Sequence, residues 1–410
     1  MIPVPEKRIA DFEKMGFGMF IHYGLYSQLG RGEWVMYSAK MTREEYTPLA
    51  DTFTAKDFDA KKIARLAKKS GMNYITITTR HHDGFSLYDT KGLSTFDAPH
   101  ACGRDLIREF VDACNEEGIM PMFYHTTIDW HEESYEKDFK GTYLKYLQDS
   151  VEVLCTQYGK IGGLWFDGNW ARPASDWDED GLYATIRKHQ PDALIINNTG
   201  LDARGKAGHP ELDSVTYEQG RPNPMDRDGM PKYLAAEMCN TFNDHWGYGF
   251  GDFHYKSLTE MIETLCACRK VGANYLLNVG PDGDGNIVPL QSSILEAMGD
   301  WTRIVGDSIY NAKPSDIKGE FKNFALEDSG KAYLFVHDLG IMGSANVVAN
   351  GGGVGYKYFK NIKGKVKSVK WTDNGEALDF CQKDDNLWFN ATGFPYGCNY
   401  VVRIAQVDFE

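Results

Sequence analysis

A basic surplus is missing from this sequence: 44 Lys and Arg stand against 58 Asp and Glu, a net charge of −14. Sequence-independent nucleic-acid binding needs cationic side chains that displace phosphate counterions, so the balance argues against it. It argues equally against a basic patch for a membrane surface. No run of 18 apolar residues occurs, which leaves no candidate membrane span. The opening stretch, Met1-Ile2-Pro3-Val4-Pro5-Glu6-Lys7-Arg8, is too polar for a secretory leader, and a cytoplasmic protein is expected. The eight cysteines lack the spacing of a disulfide framework. Cys266 and Cys268 lie two apart on an expected helix, so they face different ways and make poor zinc partners. Free thiols in a reducing compartment are the expectation. The spacings HExxH and HxH are absent, as is a GxGxxG after the first apolar run. Internal repeats and low-complexity stretches are absent too.

Aromatic residues are plentiful: nine Trp, 23 Tyr and 22 Phe make up 13% of the chain. Large domains bury many rings, but several here stand beside polar residues, as rings that cover the apolar face of a sugar do. A neutral or weakly charged substrate suits this composition. At 410 residues the chain is long enough for a large domain and a smaller one.

Up to residue 312, apolar or β-branched runs recur at 18–22, 74–79, 120–125, 163–167, 193–197, 214–218 and 274–279. An eighth, shorter run lies at 234–239. Helical periods fill most of the gaps, as in 104–117, 144–158, 181–189, 258–271 and 294–305. Repeated βα units imply a parallel sheet, and about eight of them imply a (β/α)8-like barrel. A doubly wound open sheet is the alternative. From 313 the texture changes to short alternating runs, among them 332–337, 345–349, 366–372, 387–390 and 400–404, separated by Gly, Asn and Asp. The expectation is a catalytic barrel over 1–312 and a C-terminal antiparallel β-sandwich over 313–410. A homo-oligomer is compatible with this organisation.

Barrel enzymes carry their active sites where strands end. Reactive side chains collect there: His22, then His81, His82 and Asp83, then Tyr124, His125, Asp129 and Trp130. Asp167, Asn197, Asn198, Glu218, Glu237 and Asn278 follow on later strands. Asp167 closes an apolar strand between Trp165 and Trp170, as the nucleophile of a retaining glycosidase would. Such an enzyme needs a second carboxyl as acid and base, for which Glu237 and Glu218 are candidates. Glu237 lies among Ala235, Ala236 and Met238, and burial raises a carboxyl pKa as an acid requires. His22, His81 and Asp83 also admit a metal-dependent hydrolase. Alternation along a strand, however, would turn His81 and His82 to opposite faces unless the strand has ended. Glu33-Trp34 in the first βα loop could bind hydroxyls and cover a sugar face.

These residues resemble the α-L-fucosidases of glycoside hydrolase family 29. The motifs are Gly16-Phe17-Gly18-Met19-Phe20-Ile21-His22-Tyr23-Gly24, Glu33-Trp34, Arg80-His81-His82-Asp83-Gly84-Phe85, Leu164-Trp165-Phe166-Asp167-Gly168, Trp246-Gly247-Tyr248 and Gly272-Ala273-Asn274-Tyr275-Leu276-Leu277-Asn278-Val279-Gly280-Pro281. The resemblance implies a barrel followed by a β-sandwich and hydrolysis of terminal α-L-fucosides through a covalent intermediate on Asp167. His22, Glu33, Trp34, His81 and His82 become the implied substrate contacts, with Tyr124, from its place at a strand end, and Trp246 as further candidates. Ala236-Glu237-Met238-Cys239 resembles a Trp-Glu-Met/Thr-Cys segment that holds the acid/base glutamate in many members, with Ala236 in place of Trp. Tyr217-Glu218-Gln219 resembles an upstream Pro-Glu-Gln segment, which makes Glu218 the alternative. Trp246, Tyr248 and Phe250 are candidates for an apolar wall against the C6 methyl of fucose. No metal or organic cofactor is implied, and the substrate is a fucosylated oligosaccharide or glycoconjugate. The alternative in a different class is a catalytically silent carbohydrate-binding protein on the same scaffold.

Overall fold

A computed structural model describes residues 1–198, 205–341 and 353–410. The short run at 345–349 lies outside the described residues. The chain forms two compact units, Met1–Lys256 with Asn274–Glu296, and Ser257–Ala273 with Ala297–Glu410. The boundary therefore does not fall at a single point in the sequence.

In the first unit eight parallel strands close into a barrel in sequence order. They are β1 (Phe17–Ile21), β2 (Tyr74–Arg80), β3 (Met120–Thr126), β4 (Gly163–Asp167), β5 (Leu194–Asn197), β6 (Ser214–Glu218), β7 (Ala235–Thr241) and β8 (Asn274–Val279). β2 reads Tyr-Ile-Thr-Ile-Thr-Thr-Arg and is buried throughout, as parallel strands covered on both faces are. β7, Ala-Ala-Glu-Met-Cys-Asn-Thr, is a poor strand former by composition. Pairing with β6 on one side and β8 on the other holds it extended, so context overrides propensity.

Helices follow the early strands with capped starts. Asp59 accepts from Lys62 N at the head of Ala60–Lys69, whose residues Ala60, Ile63, Ala64 and Ala67 form the buried face. Asp105 caps Leu106–Glu117 in the same way. Among the described residues no helix joins β5 to β6 or β6 to β7, so this side departs from complete βα repeats.

Side chains fill the barrel interior, with Phe20, Tyr74, Met122, Tyr124, Trp165, Ile196, Cys239 and Leu276 in one cluster. Gly18 makes room for it: a Cβ there would lie 2.4 Å from Tyr74 Cζ. Without that space Tyr74 could not reach across the barrel to β7.

The second unit carries an eight-stranded antiparallel sheet built from β9 (Lys313–Gly319), β10 (Phe324–Asp328), β11 (Lys331–His337), β12 (Gly355–Lys360), β13 (Val366–Trp371), β14 (Phe380–Lys383), β15 (Asn386–Ala391) and β16 (Val402–Phe409). The order is β13-β16-β11-β10-β9-β12-β15-β14. β13 and β15 stand near opposite ends of that order, yet Trp371 and Phe389 meet with ring centroids 6.1 Å apart. The sheet is thus folded over on itself around one core, which gives the expected sandwich.

Candidate active site

A cavity of about 130 Å³ opens at the C-terminal ends of the barrel strands. Phe20, Tyr124, Trp165 and Cys239 line it from the barrel interior, and Trp34, Trp170 and Trp246 from the loops. The polar lining consists of His22, His81, His82, Asp167 and Glu218. Side chains from six strands or their following loops meet here, most of them within a few residues of a strand end.

Asp167, the last residue of β4, is held by several donors. Trp170 Nε1 donates to Oδ1 at 2.9 Å and Tyr124 OH to Oδ2 at 3.2 Å. His82 Nε2 stands 3.5 Å from Oδ2. Burial pushes this carboxyl up, but His82, Trp170 and Tyr124 outweigh it and hold the pKa below the ordinary aspartate value. These contacts favour the ionised carboxylate and orient it. Gly168 follows with φ of +123°, where a Cβ would lie 2.8 Å from Thr127 Oγ1, so the turn after the carboxylate requires glycine.

β2 ends at Arg80, so His81 and His82 lie beyond it and alternation no longer separates them. Their rings are 4.2 Å apart and both face the cavity. His22 Nδ1 is 2.6 Å from Asn278 Oδ1, while Asn278 Nδ2 donates to Trp246 O at 2.7 Å. That amide orientation makes Nδ1 the protonated nitrogen of His22 and leaves Nε2 as an acceptor. Burial lowers the His22 pKa to about 3 and that of His81 well below the ordinary value, so both rings are neutral. His81 Nδ1 is buried without a hydrogen-bond partner. Neutral imidazoles suit sugar hydroxyls, which both donate and accept. Among the described residues no cluster of three His, Cys, Asp or Glu side chains could hold a metal ion.

The two glutamates differ sharply in position. Glu218, at the end of β6, lines the cavity, and Asn198 Nδ2 donates to its Oε2 at 2.7 Å. The same nitrogen is 3.4 Å from Asp167 Oδ1. Glu237 is the third residue of β7 and does not line the cavity. It is 1% exposed, with Tyr74 OH donating to Oε2 at 2.6 Å and Trp165 Nε1 to Oε1 at 2.9 Å. Burial raises its pKa to about 7 despite these donors. The expectation that Glu237 is buried with a raised pKa holds, but the burial lies beneath the floor formed by Trp165 and away from the substrate space.

Glu33 is also placed otherwise than expected. Its Oε2 accepts from the backbone nitrogens of Trp246 and Gly247 at 3.1 and 2.8 Å, and the residue does not line the cavity. It fixes the loop that presents Trp246. Burial, partly offset by those backbone donors, raises its pKa. Phe250 is 77% exposed and takes no part in the cavity wall, whereas Phe20 does. His125 points to the helix layer, bonding Thr79 and Ser150, and Asn197 bonds Tyr183. Cys239 and Phe20 were missed as lining residues. Both are signalled by period two, since each shares a face with a residue already singled out, Glu237 or His22.

A barrel with a carboxylate pair and an aromatic-lined cavity at its strand ends defines a glycoside hydrolase site. A family model described as alpha-L-fucosidase matches residues 5–307. The chain belongs to this family, glycoside hydrolase family 29, whose members release fucose. It is similar to α-L-fucosidase isoenzyme 1 from Paenibacillus thiaminolyticus, with 31% identity, a TM-score of 0.83, and 98% and 99% of the two chains covered. It is also similar to the rat tissue alpha-L-fucosidase, 28% identical over 362 residues, or 80% of this chain and 76% of the relative. A Thermotoga maritima α-fucosidase structure superposes with a TM-score of 0.76 at 25% identity, covering 97% and 96% of the two chains.

Proposed function

We propose that this chain hydrolyses terminal α-L-fucosides with net retention, using Asp167 as nucleophile and Glu218 as acid and then base. One observation carries the reading: the Asn198 amide bridges the two carboxylates. Their nearest oxygens lie no further apart than the sum of its two contacts, about 6 Å, close to the about 5–5.5 Å of retaining enzymes. Inverting enzymes need about 6.5–9.5 Å to admit water between the groups.

In the first step Asp167 attacks the anomeric carbon as Glu218 protonates the departing glycosidic oxygen. In the second, Glu218 removes a proton from water, which attacks the same carbon and frees Asp167. His22 accepts and His81 donates or accepts at ring hydroxyls. Phe20, Trp165 and Trp246 offer apolar surface to the C6 methyl. The substrate is a fucosylated oligosaccharide or glycoconjugate. No disulfide joins any of the eight cysteines, which fits a reducing compartment such as the cytoplasm. No helix among the described residues is long and apolar enough to cross a membrane.

The test is covalent trapping. A 2-deoxy-2-fluoro fucosyl fluoride should inactivate the enzyme and add one fluorofucosyl group to the peptide that holds Asp167. Asp167→Ala should nearly abolish turnover of an aryl α-L-fucoside. Label on another residue, or undiminished turnover by that variant, would overturn the assignment.

A further inference from the structure

A line of touching rings leads outward from the cavity. Trp34 and Trp170, both in its lining, stack with centroids 5.7 Å apart at 29°. Trp130 meets Trp34 edge-on at 5.2 Å, and Tyr37 lies along Trp130 at 5.7 Å and 28°. Tyr37 is turned to Trp130 on one face and meets Trp34 edge-on, yet the residue is 66% exposed, so much of it is open to solvent. Single exposed aromatics are ordinary on protein surfaces. Four rings in contact, running from a cavity mouth to solvent, form a continuous apolar surface beside the place where the glycosidic bond is cut.

The rings are held in place. Tyr37 sits in the short helix Val35–Ser38 that begins directly after Trp34. Arg43 Nε donates to Trp130 O at 2.8 Å, which pins the second loop to the first. A rigid aromatic loses little conformational freedom on binding, so such a surface contributes affinity cheaply in entropy. Its exposed area is that of one or two rings, far below the roughly 800 Å² per partner of a stable protein interface. It matches the apolar face of a single pyranose. Glu132 and Glu133 lie two and three residues beyond Trp130 and disfavour an anionic sugar beside it.

We propose that Tyr37 and Trp130 bind the sugar from which fucose is released, a neutral hexopyranose stacked through its C–H face. This rests on the fucosidase reading above. The test compares wild type with Tyr37→Ala and Tyr37→Phe on α-L-fucosyl fluoride, which has no second ring, and on disaccharides of fucose linked to galactose, glucose or N-acetylglucosamine. In Tyr37→Ala the ratio of kcat/KM on the best disaccharide to that on the fluoride should fall about tenfold, chiefly through KM. Tyr37→Phe should restore most of the ratio, since stacking needs the ring and not the hydroxyl. A ratio within twofold of wild type in Tyr37→Ala, or a wild type that cleaves the fluoride and no disaccharide, would overturn the proposal. A wild type inert on the fluoride would instead sink the fucosidase reading itself.

Discussion

Glu218 and Glu237 stand on neighbouring strands two residues out of step: Glu218 pairs with Cys239, and Glu237 with Thr216. At about 3.3 Å per residue, Glu237 lies about 6.6 Å deeper in the barrel. That depth separates a carboxyl that lines the cavity from one enclosed by Tyr74 and Trp165.

The difference predicts opposite responses to azide. Glu218→Ala should lose about 10²–10⁴-fold in kcat/KM on a substrate with a poor leaving group and much less on fucosyl fluoride, which needs no proton. Azide should accelerate this variant on an activated aryl fucoside and yield α-L-fucosyl azide, because it attacks the intermediate in place of water. Asp167→Ala with azide should yield the β anomer by direct displacement. Glu237→Gln should form no azide product. Rescue of a Glu237 variant, with none for Glu218→Ala, would reverse the assignment.

A second prediction concerns stability. Burial first, against the donors Tyr74 and Trp165, raises Glu237 from 4.5 to about 7. The folded state then binds this proton more tightly than the unfolded state does. Its stabilising effect is complete below the unfolded value and declines as pH rises through the window from 4.5 to about 7. Glu237→Gln keeps an acceptor for Trp165, and the Tyr74 hydroxyl can turn to accept from the amide. The Tm of this variant relative to wild type should therefore rise between pH 5 and 7.5, by the equivalent of up to roughly 3 kcal/mol. A difference that is flat with pH would show that Glu237 does not titrate in this window.

Much of this arrangement is legible in the sequence because a parallel barrel places its chemistry at strand ends. Asp167, Glu218, His22 and the His81-His82 pair follow from that rule alone. Depth is harder to read. Ala235 and Ala236 signal that Glu237 is buried, but the same neighbours surround a buried acid and a buried structural carboxylate. The register that separates them depends on where β7 ends, at Thr241, which its weak strand sequence does not announce. Asn197 and Asn198 pose the same problem, since adjacent residues face opposite ways and only the end of β5 decides which one enters the site. Glu33 was singled out for a sugar contact, yet its carboxylate is engaged by two backbone nitrogens more than 200 residues away in sequence. Local pattern carries no trace of that pairing.

His81 offers a separable test of substrate contact. Its Nδ1 has no hydrogen-bond partner, and its ring stacks on Tyr124 at 5.5 Å and 11°. His81→Phe keeps a ring for that stack and removes only the nitrogens. The Ki for fucose and the KM for an aryl fucoside should rise about tenfold or more, the equivalent of about 1.4 kcal/mol. Thermal stability should hold or increase, because a buried polar atom without a partner is removed. Unchanged KM with a lowered Tm would assign His81 to the fold rather than to the substrate.

In the second unit, Arg403 and Asp373 form the pair whose rupture should cost most. Arg403 donates from Nε to Asp373 Oδ1 at 2.8 Å and from the guanidinium to Oδ2 at 2.9 Å, and its remaining nitrogen donates to Gly393 O at 2.9 Å. The guanidinium lies 4.3 Å over the Trp371 ring, and both side chains of the pair are nearly buried. Asp373→Ala leaves the cation with only the half-exposed Glu376, 3.8 Å away, as counter-charge, and removing one partner of a buried pair costs about 3–5 kcal/mol. Arg403→Met with Asp373→Leu removes both charges and should recover a large part of that loss. Denaturant unfolding of the two variants measures the difference. If Asp373→Ala unfolds like wild type, the pair contributes nothing to stability and water has taken the place of the carboxylate.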